Sequence, residues 1–117
     1  MAYLSIWISP FRPGQAEAYR AMARQFDALL VRHGALAVTE AMAGNPALGK
    51  VTSFPRALHL EPGETVAIDM ARFRDKAEQD QVLGAAMDDP AMPDMGNTTL
   101  FDVKRMIRDG FKVFADL

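Results

Sequence analysis

The chain of 117 residues contains no cysteine. That excludes a disulfide framework, a thiolate nucleophile and a Cys-ligated metal, and it suits a reducing compartment. Histidine is nearly absent too: there are two, His33 and His59. Neither has a metal-ligating partner at helical spacing, so no metal is expected. An excess of positive charge is also missing. Thirteen Lys and Arg stand against 15 Asp and Glu, giving a net charge of −2 and a pI near 5.6. A protein that displaces counterions from phosphates is usually basic or carries a basic stripe, so nucleic acid is not an expected partner. No apolar run approaches the roughly 20 residues needed to span a bilayer, so a membrane is not expected either. G-x-G-x-x-G, the phosphate loop, H-E-x-x-H and G-x-S-x-G are all absent, and no cofactor is expected.

What remains is globular. Hydrophobic residues make up 50% and charged residues 24%, and a chain of this length buries roughly two-thirds of its unfolded surface. One domain over residues 1–117 is expected. The opening "MAYLSIWISP" shows neither a cationic leader nor a small-residue cleavage site, so it reads as structure and the cytoplasm is the expected location.

Residues 3–9, "YLSIWIS", are rich in aromatic and β-branched side chains and read as a strand. Leu4, Ile6 and Ile8 share one face; Tyr3, Ser5, Trp7 and Ser9 share the other. From Pro13 onward, Ala16, Tyr19, Ala23, Phe26 and Leu30 recur at helical spacing. Gly34, just after Arg32 and His33, suits the end of that helix. Residues 35–42 read as a second strand and residues 43–49 as a loop. "RALHL", residues 56–60, reads as a short extended segment, and residues 64–73 as a third strand. Asp75 and Glu78 have the spacing of a capping box, so a second helix is expected from there to about Met87. "KRMIRDGFKVFADL" reads as one last strand with a bulge at Asp109-Gly110.

The order β-α-β-β-α-β predicts an α+β, ferredoxin-like fold: a four-stranded antiparallel sheet with two helices on one face. In the third strand, Val66, Ile68 and Met70 alternate with Thr65, Ala67 and Asp69. The aliphatic set is expected to meet the helices, which turns Asp69 toward the bare face. Tyr3, Trp7 and Phe111 would make that bare face an exposed apolar patch. A second copy packed sheet to sheet removes the patch, so a homodimer with two-fold symmetry is expected.

Three places offer chemistry. In "KVTSFPRA", residues 50–57, Thr52 and Ser53 supply hydrogen bonds, Phe54 a wall, and Lys50 or Arg56 an anion partner. Equally, Pro55 fixes an extended edge, Phe54 packs on a helix and Arg56 pairs with an acid. In "FDVKRM", residues 101–106, Asp102, Lys104 and Arg105 orient a small anion or are simply solvated. Asp69 interrupts a mostly apolar strand. Partly buried, its carboxyl would have a raised pKa and act as a base, or it would pair with Arg56 or Arg105. His33 favours a capping role over catalysis. The eight methionines read as core filler.

The segments "EAYRAMA", "RHGAL", "GKVTSFPRA", "DDPAM" and "FDVKRMIRDGF" resemble domain-of-unknown-function family 1428, the YbaA-like bacterial proteins. The match runs over essentially the whole chain, in order. The resemblance implies a ferredoxin-like fold of the dimeric α/β-barrel type, in which two sheets face each other and enclose a cavity. It implies no function. Departures fall in "IDMARF", in "EAMAGNPALG" and in "FDVKRMIRDGF", where the family has a Trp and an acid, a Cys and several acids, and a "FDGKRMIYGGF" pattern.

The leading expectation is a protein that binds a small molecule in a cavity between the sheets of a homodimer. Its candidate contacts are Trp7, Lys50, Ser53, Phe54, Arg56, Phe101, Asp102, Lys104 and Arg105. One alternative is a cofactor-independent enzyme of the monooxygenase or isomerase type found in similar barrels. There Asp69 or His33 would be the base and Arg56 or Arg105 the anion stabiliser. The other is an interaction module without catalysis.

Overall fold

The computed structural model describes residues 2–96, 99–100 and 102–117. Its elements are β1 (Tyr3–Phe11), α1 (Ala16–His33), β2 (Ala37–Met42), a short helix α2 (Phe54–Ala57), β3 (Thr65–Phe73), α3 (Lys76–Asp88) and β4 (Ile107–Lys112). The sheet order is β2-β3-β1-β4, with every neighbouring pair antiparallel. This is the ferredoxin-like arrangement read from the sequence, with α2 added between β2 and β3. Among the described residues no helix is long and apolar enough to cross a membrane.

Local signals set most boundaries. Pro13 opens a 3₁₀ turn that leads into α1, and Gly34 ends α1 at φ 125°, donating its N–H to the carbonyls of Leu30 and Val31. Asp75 caps α3 by accepting the Glu78 N–H at 2.8 Å, and Glu78 accepts the Arg74 N–H at 3.2 Å. Pro10 lies inside β1, opposite Val66 of β3. The Val66 carbonyl is turned toward β2, where it accepts the Ala43 N–H. Pro10 therefore directs its missing N–H to the β4 side. Pairing with β4 stops at Ile8–Ile107, so the proline breaks no ladder bond.

The assignment of sheet faces is the reverse of the expectation. Ser5, Trp7, Ser9 and Phe11 of β1, with Ala67, Asp69, Ala71 and Phe73 of β3, face the helices. Ser5 Oγ bonds Gln79 of α3, Trp7 meets Phe26 of α1 edge-on at 5.6 Å, and Phe11 stacks on Tyr19 of α1 at 5.1 Å. Ala71 and Phe73 join Phe26, Leu29, Leu30, Val82 and Ala86 in the core. The physical reason is volume. The helices bring large side chains, so the inward sheet face needs small residues and a few well-placed rings, not a continuous aliphatic row. Leu4, Ile6, Ile8, Ile68 and Met70 are left on the opposite face, none of them fully buried.

Two further expectations are corrected. "RALHL" is not extended: it begins inside α2 and ends in a turn in which His59 takes a positive φ of 51°. The last strand carries no bulge, because its pairing with β1 runs without interruption from Ile8–Ile107 to Tyr3–Lys112. Gly110 is there for a different reason. A Cβ on it would lie 2.6 Å from Cε2 of the Tyr3 ring. Gly110→Ala is expected to lower stability by about 1–2 kcal/mol, measured as a shifted urea midpoint at constant slope.

Candidate functional site

The reversed faces create a pocket of about 470 Å³ between the sheet, α1 and α3. Trp7, Tyr19 and Phe26 supply rings, and Met22, Met87, Met95 and Met106 supply thioethers. Small residues leave the room: Ser9 on β1, Ala23 on α1 and Gly84 on α3. The polar members are few and ordered. Glu40 pairs across with Asp69, Asp69 with Trp7, and Trp7 with Arg108. These four form one row across the sheet, spanning about 14 Å at roughly 4.8 Å per strand. Acids occupy one end, a ring the middle and a cation the other; the Arg108 guanidinium sits 5.5 Å from the Trp7 ring centre.

At the acidic end α1 adds Asp27. One carboxylate oxygen from each of Asp27, Glu40 and Asp69 lies within 4.8 Å of the other two. Asp69 is 7% exposed. Its Oδ1 and that of Asp27 are buried without a hydrogen-bond partner. Burial is the leading cause that raises all three carboxyls. Glu40 is pushed up to about 10, with both neighbouring acids adding to the rise. Asp69 is pushed up to about 7, where Asp27 adds and a hydrogen bond with Glu40 opposes. At Asp27 the hydrogen bonds with Glu40 and Asp69 oppose the rise. Burial and the same three acids raise the Tyr19 phenol. Near neutral pH the cluster therefore holds protons, and Asp69 is poised to give one up or take one.

A second, more open hollow of about 530 Å³ is lined by Asp102, Lys104 and Arg105, with Phe11, Arg12 and Glu64. Arg105 is not available to an anion there. It donates to both oxygens of Glu64 at 2.7 and 2.8 Å, to Asp102 at 3.0 Å and to the His59 carbonyl at 3.0 Å. Hydrogen bonds from Arg105 hold the Glu64 and Asp102 carboxyls below the usual range.

The "KVTSFPRA" stretch braces a loop. Ser53 caps α2 by accepting the Arg56 N–H, and Arg56 donates to the carbonyls of Leu48 and Gly49 at 2.9 and 3.3 Å. Lys50, Ser53, Phe54 and Arg56 line neither hollow. His33 also stands apart from the pocket, its Nε2 2.8 Å from Asp89 Oδ2, tying the end of α1 to the end of α3. Of the sequence candidates, Trp7 and Asp69 meet in the pocket; Phe101 lies outside the described residues. Asp69 does not face the bare side of the sheet, and it pairs with neither Arg56 nor Arg105.

Asp27, Glu40, Tyr19 and Arg108 were missed. A signal existed for Asp27: it follows Ala23 by four residues and precedes Leu30 by three, which places it on the buried stripe of α1. The methionines gave one as well, since four of the eight line this pocket.

Fold and site together define an α+β protein of ferredoxin-like topology, with an apolar pocket and a carboxyl cluster on the helix side of its sheet. The chain belongs to the family described as "Protein of unknown function (DUF1428)", which matches residues 2–103. It is 33% identical over 116 residues to the uncharacterized protein YbaA of Escherichia coli (strain K12), covering 99% of each chain. Its identity to YbaA of Shigella flexneri is likewise 33%, over 99% of each chain. Among solved structures it is similar to SnoaB, a cofactor-independent oxygenase from Streptomyces nogalater, crystallised as a mutant. The TM-score is 0.63 at 14% identity, over 99% of this chain and 96% of that one. That likeness is one of fold.

Proposed function

We propose that the chain binds a small, largely apolar organic molecule in the pocket between its sheet and its helices, as a single domain working in a cytoplasmic homodimer. The observation that carries the binding reading is the pocket itself: rings and thioethers around about 470 Å³, with the polar groups gathered in one row. Sites for small molecules have this composition. The site expected between two sheets thus gives way to one that a single chain forms on its helix face. A thermal-shift screen of neutral aromatic compounds is the test. Gly84→Leu fills the pocket from α3, where a new Cβ meets nothing within 4 Å. Compounds that raise the melting temperature of the wild type and leave that of Gly84→Leu unchanged are the expected result. No shift with any compound would count against the reading.

The homodimer reading rests on the other sheet face. Leu4, Ile6, Ile8, Ile68 and Met70 lie there beside Ile107 and Phe111, which are 42% and 49% exposed. A sheet face so largely apolar, with Asp109 beside Ile6 and Arg72 beside Leu4 as its charges, is a poor surface for water and a good one for a second copy. Light scattering at micromolar concentration is expected to give twice the mass of 12.9 kDa. A monomer, unchanged by Ile6→Glu, would overturn this part alone.

A second reading has a specific observation behind it. Asp69 is buried in the pocket wall with a carboxyl pushed up to about 7, a value suited to a base that works near neutral pH. This fits a cofactor-independent enzyme that takes a proton from a bound carbon acid. SnoaB supports it only as a fold relative.

A further inference from the structure

The pocket's polar end has an unusual balance. Asp27 comes from α1, Glu40 from β2 and Asp69 from β3, and the charged groups acting on Asp69 are the other two acids. Arg108, the cation of the pocket, stands at the opposite end of the row beside Trp7. Arg20 and Arg24 of α1 line an adjoining hollow that shares Tyr19, Ala23 and Glu40 with the pocket. The pocket residues of α3, which include Leu83, Gly84 and Met87, bring no titratable group. Asp69 is more than nine-tenths buried, and its Oδ1 has no hydrogen-bond partner. The hydrogen bonds that Asp69 makes with Glu40 and Asp27 share protons between acids and leave Oδ1 unmet, and a donor arriving with a ligand would meet it.

The upper limit on the spacing admits one kind of donor. A primary ammonium directs three hydrogen bonds of roughly 2.8–2.9 Å toward the corners of a tetrahedron, which sets its acceptors about 4.6–4.7 Å apart. The three carboxylate oxygens lie within 4.8 Å of one another. A hard divalent cation calls for roughly six to eight oxygens, and here the neighbouring wall is ring, thioether and aliphatic carbon. Trp7 and Phe26, held edge to face, offer a surface for the body of a ligand whose charged end sits at the acids.

We propose that the pocket takes a primary amine carried on an apolar, ring-bearing body, with the ammonium seated among Asp27, Glu40 and Asp69. This rests on the reading of the pocket as a binding site. Binding exchanges protons held by the acids for the ammonium, so the complex forms with release of protons to the buffer.

The test is titration calorimetry near neutral pH, in two buffers of different ionisation enthalpy. The probes are 2-phenylethylamine and tryptamine, with 2-phenylethanol as the neutral isostere and manganese and calcium chlorides as metal controls. The expected result is that the amines bind at least about tenfold more tightly than the alcohol, a difference near 1.4 kcal/mol. About one proton should be released, and Asp69→Asn and Glu40→Gln should each remove the preference. If the alcohol binds as tightly as the amines, the pocket reading stands and the amine inference falls. Binding of manganese or calcium without binding of either amine overturns it in favour of a metal. An amine preference that survives in both variants shows that the seat is elsewhere. If neither the amines nor the alcohol bind, the pocket reading and this inference fall together.

Discussion

Raising the pH from about 5 to about 9 is expected to lower the melting temperature by on the order of 10 °C, and Asp69→Asn is expected to flatten that fall. The sign follows from which state holds more protons. The Asp69 carboxyl titrates at about 7 in the fold against 3.8 as its ordinary value, and Glu40 at about 10 against 4.5. Asp27 is displaced in the same direction. Between the ordinary and the folded values the native state binds the extra protons, so stability declines as pH rises. The decline begins near pH 4, runs through about 7 for Asp69 and continues toward 10 for Glu40. Carboxyls lowered by their partners, such as Glu64 and Asp102, act oppositely. Their stabilisation is present above the ordinary carboxylate range and is lost in acid, so it does not mask the decline. Deprotonating Asp69 supplies most of this fall, on the order of 3 kcal/mol, while Glu40 is exposed on β2 and water screens its share. Melting curves in buffers matched for ionic strength decide the matter; a flat profile in the wild type would falsify the proton-holding cluster.

The second large effect is at Arg105. Its guanidinium is the fork that satisfies both oxygens of Glu64, whose side chain is only 6% exposed. Truncating Arg105 to Ala leaves that carboxylate the Glu61 N–H, at 2.7 Å, and opens it to the neighbouring hollow. A loss of about 1–2 kcal/mol is expected, because a partly buried charged pair loses its hydrogen bonds while the carboxylate keeps one donor and gains water. The double variant Arg105→Met with Glu64→Leu is expected to recover most of it, since two apolar side chains leave no stranded charge. Urea unfolding of the three variants closes the cycle. If Arg105→Ala stayed within about 0.5 kcal/mol of wild type, Arg105 would be a surface charge free to meet an anion.

Much of the fold was legible because its signals are local. Proline at the start of α1, Gly34 at its end and the Asp75–Glu78 box at α3 each act within a few residues. Topology followed from the order of the elements. The face of each strand was not legible, and the reason is visible in β1 and β3. Both faces carry apolar bulk, so alternation alone does not say which one meets the helices. The decision lies in volume, with Ser5, Ser9, Ala67 and Ala71 opposite the large side chains of α1, and volume matching is a tertiary property. Once the faces are exchanged, Asp69 moves from the bare side into the pocket. The acids it meets there are separated from it in sequence by 42 and 29 residues, a distance no motif spans. "KVTSFPRA" misled for a related reason. A serine cap and an arginine closing a loop on carbonyl oxygens use the same residue types as an anion site, and only the hydrogen-bond partners tell them apart.

The sulfur of this chain is all thioether, and half of its methionines surround one cavity. Met87 stands at that wall 67% exposed. Oxidants that would elsewhere meet a thiol meet Met87 here. Its sulfoxide would set a polar, chiral oxygen into a surface otherwise made for carbon and rings. Such an oxidation would tie the state of the pocket to the redox history of the protein, and a methionine sulfoxide reductase would be the agent that resets it.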